Sequence, residues 1–236
     1  MRVENHKRST DGDLKELQSE PFKQGAEAKL YRCVYEGVKA VVKVRFPKTY
    51  RHSDLDKKLT EERRRAEAKG HEKCMTNGIP VPKLLAVFKP DNALVFEHIE
   101  GEMTLKTHIE ELRTTLDGEA FKVETLKLAG KLGTILSKMH ALSIIHGDLT
   151  TSNILMRGQD EMLLIDFGLT FMDQHSAEHK ATDLYVLERA IRSTHHQFDY
   201  FFEQILDAYK EAGNSEKVIQ RLDAIRLRGR KRDMTG

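Results

Sequence analysis

With 236 residues, the chain can bury a sizeable core as one large domain or two small lobes, which excludes a fibre or a mini-protein held by staples. Charged residues make up 32% against 39% hydrophobic, so the surface is highly charged over enough apolar material to exclude global disorder. The 39 basic and 37 acidic side chains leave a formal charge of only +2, which excludes partner selection by net charge alone.

Residues 1–20 are polar and lack periodicity, a flexible end leading into the first strand and on which no fold depends. LYRCVY at 30–35 and VKAVVKVRF at 38–46 read as antiparallel strands joined by a turn at Glu36-Gly37. Ser53 or Asp54 caps a charged helix running to about Thr76; Asn77-Gly78 stops it, and Pro80 and Pro82 force an extended exit. LLAVF at 84–88 and ALVFEHI at 93–99 flank the Pro90-Asp91-Asn92 turn, and Glu100-Gly101 marks the boundary between two lobes. Beyond it the pattern is helical, with Leu128, Leu132, Ile135, Met139 and Leu142 on one face. ILM at 154–156 and MLLI at 162–165 enclose GQDE as a hairpin.

Three helices complete the chain. The first begins near Thr182, and the second carries Phe198, Phe201, Phe202, Ile205, Leu206 and Tyr209 before Gly213. The third starts at Asn214 or Ser215, carries Val218, Leu222 and Ile225, and ends near Gly229. The expected division is a loose segment 1–20, a first lobe 21–100, a second lobe 101–225 and a basic tail 226–236.

The chemistry concentrates in HGDLTTSN at 146–153 followed by DFG at 166–168, which sets Asp148, Asn153 and Asp166 around one short hairpin. Phosphoryl transfer uses such a set: one carboxylate accepts or orients the proton of the attacking hydroxyl or water, while an amide oxygen and a second carboxylate hold Mg2+ against the phosphates. Asp148 is the candidate base, and Asn153 and Asp166 are the candidate metal ligands. The five-residue step from Asp148 to Asn153 matches a kinase catalytic loop, with Gly147 where that loop carries arginine. Upstream, Gln24, Gly25, Ala26, Glu27 and Ala28 occupy the place of a glycine-rich phosphate loop with a single glycine. Glu27 there repels ATP unless a cation or basic residue intervenes, and is read either as a control on nucleotide entry or as an exposed turn residue. Lys43 in AVVKV shares a strand face with Val41, as a phosphate-binding lysine requires. Its helix partner is Glu67, chosen over Glu61 and Glu62, which fit the first turns and surface pairing better.

Charge is uneven along the chain. Between Lys43 and Lys73 there are 11 Lys or Arg against 6 Asp or Glu, and Arg226 to Arg232 places five basic residues in seven positions. Each zone reads as a solvated face or as a phosphate-attracting surface. The longest apolar runs fall far below the roughly 18 residues of a membrane span, so no membrane is expected. Two cysteines, Cys33 and Cys74, make no disulfide framework, and MRVENHKRST holds no leader-like apolar stretch; a reducing compartment, cytoplasm and nucleus, is expected.

QGAEA at 24–28, VVKVRFPKTYRH at 41–52, EHIEG at 97–101, IHGDLTTSN at 145–153, IDFGL at 165–169, DLYVLERA at 183–190 and RLRGRKR at 226–232 together resemble the kinase/ATPase subunits of the KEOPS (EKC) complex, the PRPK family of small atypical serine/threonine protein kinases. The resemblance implies an α+β, protein-kinase-like, two-lobed fold. Its N-lobe would be a small antiparallel sheet with one main helix, and its C-lobe mainly helical. It also implies ATP and Mg2+, adenine held by the hinge backbone near Glu97 and Ile99 with Phe96 as gatekeeper, and a structural role for Asp183 beneath the catalytic loop. The implied partners are other KEOPS subunits, among them the catalytic subunit of threonylcarbamoyladenosine formation, together with tRNA and proteins phosphorylated on serine or threonine.

Only 17 positions separate Asp166 from Asp183 and no APE motif follows, so a full activation segment is lacking. That favours ATP hydrolysis or permissive protein phosphorylation, and leaves a nucleotide-sensing scaffold as the alternative. In the tail, Gly229 lets the chain leave helical geometry, and its loss should spare stability. Its charges suit a nuclear-localisation signal, a solvated end, or contact with tRNA phosphates or the nucleotide cleft.

Overall fold

A computed structural model describes residues 14–15, 17–174, 176–194, 198–213 and 215–233. By contacts the chain forms two compact units, residues 1–60 with 83–98, and residues 61–82 with 99–236. The unit boundary therefore cuts the charged helix expected within 21–100. Its second part groups with the helical unit because Cys74, and Ile79 and Val81 just beyond, belong to that unit's core.

The first unit is built on a six-stranded sheet. Its strands are β1 (Leu14–Lys15), β2 (Lys23–Gln24), β3 (Ala28–Tyr35), β4 (Val38–Arg45), β5 (Leu84–Phe88) and β6 (Ala93–Glu97), with path β1-β3-β4-β6-β5 and β2 also on β3. The β3–β4 turn is tight because Glu36 and Gly37 both take positive φ, 49° and 80°, the conformation that matches hairpin twist. Cys33 pairs with Ala40 and Tyr31 with Val42, so one sheet face carries Cys33, Tyr35, Ala40, Val42, Ala93 and Val95 into a small core. The other face carries Ala28, Leu30, Val41, Lys43, Leu94 and Phe96, since Leu30 pairs with Lys43, Lys43 with Leu94 and Val41 with Phe96.

Part of the expected loose end is ordered into this sheet. Leu14 and Lys15 pair with Tyr35 and Val34, and the Gln18 N–H donates to the Arg32 carbonyl at 3.1 Å. Two residues are too short for alternation to reveal, and β3's open edge recruits them. Residues 1–13 and 16 lie outside the described residues.

α1 (Ser53–Thr76) already contains Ser53 and Asp54, the residues expected to cap it, because the Asp56 N–H bonds to the His52 carbonyl at 2.9 Å; it stops at Asn77-Gly78 as expected. The second unit continues with α2 (Leu105–Thr115) and α3 (Gly118–Ala141), then four short strands: β7 (Ile144–Ile145), β8 (Ile154–Arg157), β9 (Glu161–Leu164) and β10 (Phe171–Met172). It ends with α4 (Ala177–Thr194), α5 (Asp199–Glu211) and α6 (Glu216–Asp233). Asp117 caps α3, its carboxylate accepting the Glu119 and Ala120 N–H groups at 3.1 and 2.8 Å. α3 buries Leu128, Leu132, Leu136 and Met139, whereas Ile135 and Leu142 of the expected stripe are only partly buried. α5 brings Phe201, Phe202, Ile205, Leu206 and Tyr209 into the same core.

Two helix limits differ from expectation. α4 begins at Ala177 rather than near Thr182, because the Ser176 hydroxyl accepts the His179 N–H at 3.1 Å while Asp173 accepts the Ser176 N–H at 3.0 Å. The turn it adds is polar and gives no apolar signal. α6 does not end near Gly229 but runs to Asp233. A Cβ at Gly229 would collide with the Tyr185 hydroxyl, so this glycine marks a close approach of α6 to α4, not a stop.

The same approach is held by charge. The carboxylate of Glu188, only 1% exposed, takes Arg226 Nε at 2.8 Å and Arg192 Nη2 at 3.0 Å, and Arg228 hydrogen-bonds to Glu178. The Arg228 hydrogen bond holds the Glu178 carboxyl below the usual carboxylate range, with the charges of Arg228 and Arg221 adding to it. Arg226 and Arg228 are thus structural cations, and cutting the chain after Leu227 removes a helix contact. A chain cut there keeps the Arg226–Glu188 pair and gives up the exposed Arg228–Glu178 pair and the close approach at Gly229.

Candidate active site

β7 ends at Ile145, and the chain then bends through residues 146–150 into the 3-10 turn Thr151–Asn153 before β8. β9 delivers Ile165 and Asp166 beside it, so the hairpin fixes both halves of the motif. Asn153 Nδ2 donates to the Asp148 carbonyl at 2.8 Å and to Asp148 Oδ2 at 3.2 Å. The Ile165 N–H donates to the Asn153 carbonyl at 3.0 Å, tying the turn before Asp166 to the segment 146–153. Asp166 sits in the left-handed region, φ 64° and ψ 59°, which aspartate tolerates better than most residues and which marks a shaped site. Asp148, Asn153 and Asp166 are all half-buried.

His146, which the motif supplied without a role, joins the two halves. Its Nε2 lies 3.0 Å from the Ile165 carbonyl, so it donates there, and Nδ1 accepts the Asp148 N–H at 3.3 Å. Both ring nitrogens are used by the neutral form. Burial pushes the imidazole pKa below its ordinary value, and the opposing pull of Asp183 and the Ile165 carbonyl does not restore it.

Asp183, on α4, takes the support role expected of it. Its carboxylate accepts the His146 N–H at 2.6 Å and the Gly147 N–H at 2.9 Å, with His140 Nε2 at 3.3 Å. Burial alone would raise this carboxyl. The His140 hydrogen bond, the neighbouring imidazoles and the Gly147 N–H outweigh it and hold the pKa below the usual range. Behind it, His140 Nδ1 meets the Tyr209 hydroxyl at 2.9 Å, and Tyr209 is pushed up by burial and Asp183, so it keeps its proton. Sequence reasoning missed His140 and Tyr209. A histidine at the end of an apolar helix stripe does not announce a partner 69 residues away.

Gly147, where a kinase loop carries arginine, has φ 84° and lies so close to Leu169 that a Cβ would stand 2.5 Å from the Leu169 carbonyl oxygen. Gly147→Ala should cost about 1–3 kcal/mol through left-handed strain and the clash with backbone. A lower urea midpoint with lower turnover is the expected readout, and an unchanged midpoint would remove this constraint.

The two titrating groups give stability a pH dependence. His146 has a lower pKa in the folded chain than the ordinary 6.5 it regains on unfolding, so acid favours the unfolded chain. Stability should fall below about pH 6.5, by up to about 1.4 kcal/mol per pH unit for one proton. Asp183 adds stability that is present above about pH 4 and is lost as pH falls through its lower folded pKa. Urea midpoints from pH 8 to 5 should show the first fall in the native chain and less of it in His146→Gln; identical profiles would contradict it.

The other candidates are placed as follows. In the first unit, Gln24 ends β2, and the Gly25 N–H donates to the Ala28 carbonyl at 2.9 Å, folding Ala26 and Glu27 into a tight turn. Lys43 lies on the sheet face opposite the small core, with Ala28 and Leu30. Glu97 Oε1 accepts the Lys83 N–H at 2.7 Å. Glu67 is buried on α1 within the second unit, and Ile99 is buried there too. Cys33 and Cys74 are free and buried; burial raises both thiols, Cys74 to about 12, so neither is a reactive nucleophile.

The donor set suits Mg2+. With its Nδ2 committed to Asp148, Asn153 would offer a cation its amide oxygen and Asp166 would offer a carboxylate, the oxygen donors a hard cation shared with phosphate takes. Among the described residues no group of three or more His, Cys, Asp or Glu side chains forms a cage.

Residues 15–209 match the model of the lipopolysaccharide kinase (Kdo/WaaP) family. The chain is 42% identical to the EKC/KEOPS complex subunit Tp53rkb of Mus musculus, over 92% of this chain and 89% of that protein. It is 42% identical to the EKC/KEOPS complex subunit bud32 of Dictyostelium discoideum, over 90% and 83%. With BUD32 of Gibberella zeae, another EKC/KEOPS complex subunit, identity is 38% over 90% and 86%. A kinase-like α+β chain that matches such relatives over nearly its whole length belongs to the Kdo/WaaP family and to the family of EKC/KEOPS complex subunits Bud32 and Tp53rkb.

Proposed function

We propose that this chain is an ATP- and Mg2+-dependent phosphoryl-transfer enzyme, an ATPase and atypical serine/threonine protein kinase, working as a KEOPS subunit in threonylcarbamoyladenosine modification of tRNA. The observation that carries the reading is the Asn153 amide clamped on Asp148 next to the left-handed Asp166. Asp148 Oδ2 is occupied by Asn153, which leaves Oδ1 to receive the proton of a water or a serine or threonine hydroxyl. His146 and Asp183 hold that loop so that the base does not reorient during transfer. Lys43 contributes a phosphate contact, supported by Glu67, and the turn 24–28 offers backbone to the phosphates. Glu97 and Ile99 supply the adenine contacts. Mg2+, when bound by Asn153 and Asp166, neutralises phosphate charge.

KEOPS membership, the partnership with the tRNA-modifying catalytic subunit, and residence in cytoplasm and nucleus rest on the relatives' names and on the resemblance of the motifs. Contact with tRNA rests on the two basic zones of the sequence, Lys43 to Lys73 and the tail from Arg226. The short stretch between Asp166 and α4 favours a second reading, a nucleotide-sensing scaffold, because it offers little platform for a peptide. Titration calorimetry of ATP with and without Mg2+ tests the site itself. Mg2+ should tighten ATP binding in the native chain and much less in Asp166→Ala or Asn153→Ala; an equal Mg2+ effect in all three would overturn the metal assignment.

A further inference from the structure

The phosphate-loop turn contains an acid, Glu27, where a polyphosphate would be repelled, and the first unit supplies the cation that offsets it. Arg51 Nη2 lies 3.6 Å from Glu27 Oε1, while its Nη1 lies 3.4 Å from Asp56 Oδ1. Asp56 is the anchor: its carboxylate is 6% exposed, and its other oxygen accepts the Lys48 N–H at 3.0 Å. The Arg51 N–H in turn donates to the Lys48 carbonyl at 3.2 Å, and the guanidinium lies 5.2 Å from the Tyr50 ring centroid. One end of the fork is therefore fixed on a buried carboxylate, and the other rests on a partly exposed one at longer range.

The fork stands beside the turn that Gly25 and Ala28 close, one residue before the strand that pairs with Lys43. We propose that Arg51 is a phosphate-binding residue, masked by Glu27 in the free protein and transferred to the nucleotide polyphosphate when it binds. This rests on the ATP-binding reading above and adds a residue and an exchange to it.

The energetics favour exchange. A partly exposed ion pair at this distance contributes little, so breaking it costs little, whereas a multiply charged phosphate offers a guanidinium stronger, two-pronged hydrogen bonds. The Asp56 anchor keeps the guanidinium in place, so little ordering entropy is lost. Glu27 then serves as a counter-ion that keeps Arg51 from other anions.

Titration calorimetry of the full chain with ATP and with adenosine tests this in native protein, Arg51→Ala, Arg51→Lys, Glu27→Gln and the Arg51→Ala/Glu27→Gln double variant. Arg51→Ala should weaken ATP about tenfold, the size of one charge-assisted hydrogen bond, while adenosine changes less than about twofold. Arg51→Lys should recover part of the loss. Glu27→Gln should tighten ATP about two- to threefold in the native background, and should also restore part of the affinity lost in Arg51→Ala. Native ATP affinity in Arg51→Ala and Arg51→Lys would overturn the proposal. So would an equal loss for ATP and adenosine, which marks a structural role. Failure of the native chain to bind ATP at all would overturn both this proposal and the function on which it rests.

Discussion

On the proposed function, Asp148→Ala should reduce ATP turnover by at least about a hundredfold with little change in ATP affinity, because a base in that role contacts the nucleophile and not the bound nucleotide. Asp166→Ala should lose turnover as well, together with the Mg2+ dependence of binding. Neither change opens an apolar cavity, since both side chains are half-buried and polar, so stability should stay within about 1 kcal/mol of native in Asp148→Ala and fall by about 1–2 kcal/mol in Asp166→Ala, where alanine must take φ 64°. Asp148→Asn is the sharper test. It preserves the shape of the side chain and removes the basic oxygen, so retained turnover in that variant would take the proton-accepting role from Asp148.

Asp183→Ala should be the most damaging single change in the second unit. It leaves the buried His146 N–H and the part-buried Gly147 N–H without an acceptor and strips the buried His140 of its carboxylate partner. Each unsatisfied buried group costs about 1–3 kcal/mol, so a loss of about 3–5 kcal/mol is expected, with turnover falling because the loop that carries Asp148 loses its support. Asp183→Asn retains one acceptor oxygen but cannot serve both N–H groups as a carboxylate does, and should fall between. Near-native stability in Asp183→Ala would mean that the loop is held from elsewhere.

Much of this architecture was legible in the chain. Alternation exposed β3 and β4, Glu36-Gly37 fixed their turn, and the spacing of Asp148, Asn153 and Asp166 singled out a segment whose parts are hydrogen-bonded through Asn153 to Asp148 and to Ile165. What escaped was set by partners distant in sequence. Gly229 looks like a helix stop to any local rule, yet the conformation it serves is the close contact with Tyr185, and the helix continues through it. Ser176 and Asp173 add a polar turn to α4 that periodicity cannot see. The cation opposite Glu27 was required by charge, but that it is Arg51 follows only from how Asp56 folds the residues before α1.

The most direct measurement is inorganic phosphate release and incorporation of labelled phosphate into protein, followed on one purified sample of the full chain with Mg2+ and ATP. It is then repeated with the KEOPS catalytic subunit and tRNA. The proposed function predicts phosphate release that disappears in Asp148→Ala and rises with the partner and tRNA, with labelled phosphate appearing on serine or threonine. Tight ATP binding with no release and no incorporation under either condition would contradict it and leave a nucleotide-sensing scaffold.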